Sequence, residues 1–183
     1  MHRMRTFCML LVVGFWGCGG QETAKKPVQQ TNVEALDPSG QQVTFWYQHT
    51  RERETALQEL IADYNEKNEH GIVVKGEYAG AYSDIYNKMV VGIQADALPS
   101  LVVAYQNQAM AYFRDGGIVD IAPYVNSPKW GLSNTEKSDF IQSFLEQDFI
   151  DGVQVGFPPN RSLEVFYYNV DWLRELGFDN PPR

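Results

Sequence analysis

The chain has 183 residues, 44% of them hydrophobic and 21% charged, enough apolar material for a packed domain and outside the composition of disordered chains. With 23 acidic against 15 basic side chains the formal charge is −8, which excludes a surface built to neutralise phosphate backbones, so nucleic acid is not an expected partner. Both cysteines fall within the first eighteen residues, leaving the body of the chain no thiol for a disulfide, a metal site or a nucleophile.

The elements begin with a basic start, His2-Arg3-Met4-Arg5, followed by an apolar run over residues 7–16. This reads as a signal peptide, because a bilayer-spanning helix needs about 20 apolar residues. Gly17-Cys18-Gly19-Gly20 then resembles the lipobox of bacterial lipoproteins, with Phe15 and Trp16 standing where that pattern has Leu and a small residue. The resemblance implies removal of residues 1–17 and lipidation of Cys18, which would anchor the protein to the extracytoplasmic face of a bacterial membrane, in the periplasm or at the cell surface. Residues 18–42, rich in Gln, Thr, Lys, Pro and Gly, read as a flexible tether.

From residue 43 onward, short β-prone runs alternate with helical periodicity. Residues 43–47 are a strand candidate. A helix over 52–67 follows, in which Leu57, Leu60, Ile61 and Tyr64 make one stripe, with Thr50 as its expected N-cap. Gly71 breaks it, and residues 72–75 or a little beyond form the second strand. Ser83 is the expected cap of a helix carrying Ile85, Met89, Val90 and Ile93 on one face. The continuous apolar run 101–104 reads as a strand buried on both faces, and a helix over 107–114 is stopped by Gly116-Gly117. A polar connection with Pro128 and Gly131 leads to one helix over 136–147. Strands at 154–157 and 165–168 and a helix over 170–176, ended by Gly177, complete the series.

Such alternation implies βαβ units and a largely parallel sheet flanked by helices, an α/β fold. In an open α/β sheet, ligands bind outside the carboxyl ends of the strands. That rule selects Trp46, Tyr47, His49 and Thr50 after the first strand, Tyr78 and Tyr82 after the second, Tyr105, Gln106 and Asn107 after the third, and Asn160, Arg161 and Ser162 further on. These are mostly aromatic or hydrogen-bonding side chains, the types that cover and bind hydroxylated solutes.

The order of motifs resembles the extracellular solute-binding proteins of ABC sugar importers, of the maltose-binding and glycerol-3-phosphate-binding type. The resemblance rests on Val43-Thr44-Phe45-Trp46-Tyr47, Tyr64-Asn65-Glu66-Lys67-Asn68, Tyr78-Ala79-Gly80-Ala81-Tyr82, Leu98-Pro99-Ser100-Leu101-Val102-Val103, the run from Gly116 to Tyr124, Tyr167-Tyr168-Asn169, and Leu176-Gly177-Phe178 followed by Pro181-Pro182. It implies a periplasmic-binding-protein fold with residues 43–160 as the first lobe. Residues 161–183 would be the crossover and the start of a second lobe that is mostly missing, since family members are roughly twice as long. The implied role is capture of a sugar or polyol phosphate for delivery to membrane permease subunits by a monomer that needs no cofactor. In the glycerol-3-phosphate branch a ligand tyrosine corresponds to Tyr82, an acidic ligand residue to Gln106, where the amide departs from the pattern, and a serine contact to Ser162. Arg161 could clamp an anion or be a solvated loop residue.

Catalysis is not expected. The sequence holds no GxGxxG, P-loop or GxSxG motif, and His49, the one histidine near the expected site, has no partner with which to form a metal site or a triad. A secreted lipoprotein glycan hydrolase is the alternative reading.

Overall fold

The computed structural model describes residues 32–162 and 164–180, so the signal segment, Cys18 and most of the tether lie outside the described residues. After a short 3-10 turn at Val33–Ala35 come β1 (Gln42–Tyr47), α1 (Glu52–Lys67), β2 (Val73–Tyr78), α2 (Tyr82–Ala95), β3 (Leu101–Val102) and α3 (Gln106–Arg114). The sheet order is β2-β1-β3. β1 pairs in parallel with both neighbours, from Gln42 opposite Val73 to Tyr47 opposite Tyr78 on one side and with Leu101 and Val102 on the other. Parallel neighbours need crossovers of a dozen or more residues, and α1 and α2 supply them.

The two faces of β1 have different neighbours because side chains alternate along a strand. Tyr47, 2% exposed, turns toward α1, where its hydroxyl donates to Glu54 Oε1 at 2.9 Å and accepts from Gln58 Nε2 at 2.8 Å. Gly76 permits this approach, since a Cβ there would meet Ile61 Cδ1 at 2.7 Å and Tyr47 Cε1 at 3.1 Å. Trp46 turns the other way, onto a core of Ala79, Ile85, Met89 and Tyr112 that also takes in Ile93, Leu98 and Val102. A second cluster of Ala109, Met110 and Val155 joins α3 to the later chain.

The outer edge of β2 is closed by side chains of α1. Asn65 accepts from the Val74 N–H at 2.7 Å and donates to its carbonyl at 2.9 Å. Asn68 does the same for Ile72, at 2.7 and 2.9 Å, and Gln58 reaches the Gly76 carbonyl at 3.5 Å. Residues 72, 74 and 76 are the alternate positions whose backbone groups face away from β1, so the helix satisfies an edge that would otherwise be open to another chain.

Several local expectations are corrected. Arg51, with φ of 57°, occupies the N-cap position of α1 rather than Thr50 and makes no side-chain cap. The α1 stripe is only half used: Leu57 and Ile61 are partly covered while Leu60 is 68% exposed. α2 starts at Tyr82, and Asp84 rather than Ser83 marks the start by accepting the Ala81 N–H at 2.8 Å. β3 keeps only the first half of its apolar run.

Beyond α3 the chain forms α4 (Ala122–Val125), α5 (Asn134–Asp139) and α6 (Gln142–Glu146). The single helix expected over 136–147 is broken because Phe140 and Ile141 are extended, which seats the Phe140 ring edge-on against Phe157 at 5.0 Å. α5 has its own start, a capping box between Ser133 and Glu136. β4 (Phe149–Ile150) and β5 (Val153–Gln154) form an antiparallel hairpin whose turn, Asp151-Gly152, has φ of 52° and 80°, as a tight two-residue connection requires. No strand forms at 165–168. Phe166 and Tyr167 are 100% and 95% exposed, and β-prone residues without a partner strand gain nothing from extension. α7 (Val170–Glu175) follows, capped by Asn169, whose side chain accepts from the Asp171 and Trp172 N–H groups.

Asn65→Ala removes both bonds to the β2 edge and is expected to lower stability by about 1–3 kcal/mol, read as a lower urea midpoint with an unchanged slope.

Candidate functional site

The parallel pairing of β1, β2 and β3 brings their carboxyl ends to one rim. Gln48 and His49 follow β1, Tyr82 opens α2 after β2, and Tyr105 and Gln106 connect β3 to α3. Together with Asn160, Arg161 and Ser162 from the segment after β5, they line one cavity of about 690 Å³, within the range of small-molecule sites. Its apolar wall is made by Met89, Val102, Ala104, Tyr112, Ile118 and Val155.

Five of the residues selected from the sequence do not line the cavity: Thr50 and Tyr78 are exposed outside it, and the other three are held elsewhere. Tyr47 is buried against α1. Trp46 packs under α2, with its indole N–H donating to Glu77 Oε2 at 3.2 Å. Asn107 is exposed on α3 and does not line the cavity. Conversely, sequence reasoning passed over Gln48, Tyr112 and Asp148, which do line it. Gln48 had a readable signal, being the next polar residue beyond the β1 end. Asp148 had none, since its partner, Arg161, lies thirteen positions later.

The tyrosines form a platform. The rings of Tyr82 and Tyr105 stack with centroids 4.3 Å apart and planes tilted 25°. Gln48 Nε2 donates to the Tyr82 hydroxyl at 2.9 Å, which leaves the phenol proton free to donate elsewhere, while the buried Gln48 Oε1 has no partner. Burial, and then the neighbouring Tyr105, push the Tyr82 hydroxyl above the usual tyrosine range, with the Gln48 bond opposing them. Tyr82 is therefore a neutral donor at physiological pH.

Arg161 is neither solvated nor free. Its Nη2 donates to Asp148 Oδ2 at 2.6 Å and to the Phe144 carbonyl at 3.2 Å. Among the described residues no group of three or more His, Cys, Asp or Glu is placed to hold a metal ion, and no helix is long and apolar enough to cross a membrane.

A parallel sheet with crossover helices and a cavity at its carboxyl rim defines the class as an α/β ligand-binding lobe. The chain belongs to the bacterial extracellular solute-binding protein family, whose model matches residues 59–182. It is 23% identical over 146 residues to the sn-glycerol-3-phosphate-binding periplasmic protein UgpB of Brucella abortus, a match covering 78% of this chain and 33% of that protein. The chain thus spans about a third of the length of the curated relatives it matches. Among solved structures it is similar to an extracellular solute-binding protein of family 1 from Alicyclobacillus acidocaldarius, with a TM-score of 0.52 and 15% identity over 63% of this chain and 27% of that one. It is also similar to the cyclic α-maltosyl-1,6-maltose binding protein of Arthrobacter globiformis, with a TM-score of 0.51 and 17% identity over 62% of this chain and 27% of that one. These structures share the fold, which is of the periplasmic-binding-protein type.

The cavity wall also sets an alkaline limit on the fold. Burial, then Tyr86, push the Tyr112 hydroxyl up to about 12. Its neutral form is favoured in the folded state, so the associated stability is fully present below the ordinary tyrosine value near 10 and is lost as pH rises through about 12. Urea unfolding between those limits is expected to show a steeper loss for the wild type than for Tyr112→Phe.

Proposed function

We propose that this chain supplies the first-lobe half of a solute-binding component of an ABC importer, capturing a sugar-like or glycerol-phosphate-like solute and presenting it to permease subunits in the membrane. The observation that carries this reading is the stacked Tyr82–Tyr105 pair set on the strand-end rim beside the Gln48, Gln106 and Asn160 amides and the Ser162 hydroxyl. Aromatic faces cover the C–H side of a sugar ring, and amides and hydroxyls serve as both donors and acceptors for its hydroxyl groups. Family membership and the similarity to a glycerol-3-phosphate-binding protein support it.

A binding rather than hydrolytic role is supported by the cavity wall itself. Asp148 is its one carboxylate among the described residues, and that group is tied to Arg161, whereas glycoside hydrolysis ordinarily uses two carboxyl groups flanking the bond. In this reading the mature protein is an extracytoplasmic monomer held by a lipid on Cys18, and a second lobe closes over the rim when solute arrives.

A thermal-shift screen of the complete gene product against neutral sugars and glycerol phosphates is expected to raise the melting temperature with at least one of them, and a flat response to all would refute the importer role. Against the solute so found, Tyr105→Ala is expected to weaken binding about tenfold, equivalent to about 1.4 kcal/mol, in calorimetry, with an unchanged circular dichroism spectrum.

A further inference from the structure

Among the described residues, the cavity wall carries one permanent positive charge, Arg161, and one carboxylate, Asp148. Each cancels the other. Their side chains are 16% and 6% exposed, and the closest atoms are 2.6 Å apart. The same guanidinium nitrogen also holds the carbonyl of Phe144 in α6, so Arg161 is fastened to the wall.

A free guanidinium would grip a phosphate or carboxylate with two parallel bonds. Turning toward such an anion would leave Asp148 charged and without its partner at a nearly closed position, a loss that offsets the gain. Apart from His49, the other polar side chains on the wall are uncharged amides and hydroxyls, Gln48, Tyr82, Gln106, Asn160 and Ser162 among them. His49 is the remaining titratable nitrogen on the wall, and the protein as a whole is acidic, at −8, which disfavours the approach of anions.

We infer that Asp148 is a specificity-determining residue: by holding Arg161 it makes this wall select uncharged polyhydroxylated solutes over phosphates and carboxylates. The inference rests on the solute-capture reading and narrows its substrate class. Asp148 acts through Arg161, as a positioning residue, so removing its charge changes the anion-to-neutral preference and not merely the stability.

The test is calorimetry on the complete gene product, wild type and Asp148→Asn, with neutral sugars, glycerol 3-phosphate and inorganic phosphate. The wild type is expected to bind a neutral sugar at least tenfold tighter than glycerol 3-phosphate and to ignore inorganic phosphate. In Asp148→Asn the ratio of phosphate to neutral-sugar affinity is expected to rise at least tenfold. Should that variant fail to fold, Asp148→Leu/Arg161→Met, which removes the guanidinium together with its partner, is expected to show no rise in the ratio of phosphate to neutral-sugar affinity. Tight binding of glycerol 3-phosphate by the wild type, an unchanged ratio in a folded Asp148→Asn, or a raised ratio in the double variant would each overturn the inference while leaving solute capture intact. Failure of the wild type to bind any sugar or phosphate would overturn both.

Discussion

Pairing of β1 with a parallel neighbour on each side is the constraint on which the rest of the molecule depends. It forces every connection to cross over a face of the sheet and leaves all three strand ends on one rim. From that geometry follow the places of Gln48 and His49, Tyr82, and Tyr105 and Gln106, which are far apart in sequence but meet around one cavity. The alternation of β1 then assigns the neighbouring aromatics to opposite packing tasks. Tyr47 locks α1 through Glu54 and Gln58, and Trp46 backs the core under α2. Both hold the scaffold, and neither lines the cavity.

The rim would be incomplete without the later chain. The β4–β5 hairpin packs Val155 against Ala109 and Met110 of α3, and the segment that leaves it brings Asn160, Arg161 and Ser162 to the cavity. The Arg161–Asp148 pair pins that segment to the turn after α6. One contact therefore shapes the wall and sets its charge. Such a pair is not a large source of stability, because desolvation consumes much of what the attraction returns. Its effect is on the charge and shape of the wall.

Much of this was legible in the sequence. The bounds of α1 follow from its periodicity and the break at Gly71, and the alternation of elements gives the α/β architecture and hence the rim. What escaped was tertiary. Periodicity shows that Trp46 and Tyr47 point to opposite faces but not what lies over each. The break at Phe140-Ile141 depends on Phe157, seventeen residues away and invisible to a local pattern. Residues 165–168 have strong β propensity, but propensity in strands reflects packing against neighbours, and Phe166 and Tyr167 have almost none. The Arg161–Asp148 pair joins a loop to a buried turn, and no spacing rule announces it.

The amide clasp along β2 gives the sheet a direction of growth. With Asn65 and Asn68 occupying the outward backbone groups of Val74 and Ile72, that margin offers little to a newcomer. An additional strand, from this polypeptide or from a neighbouring molecule, has its opening beside β3. There Leu101 and Val102 already border the solute cavity. Lengthening the sheet and altering the cavity wall are thus one event, and a stray strand that docked there would reshape the cavity itself.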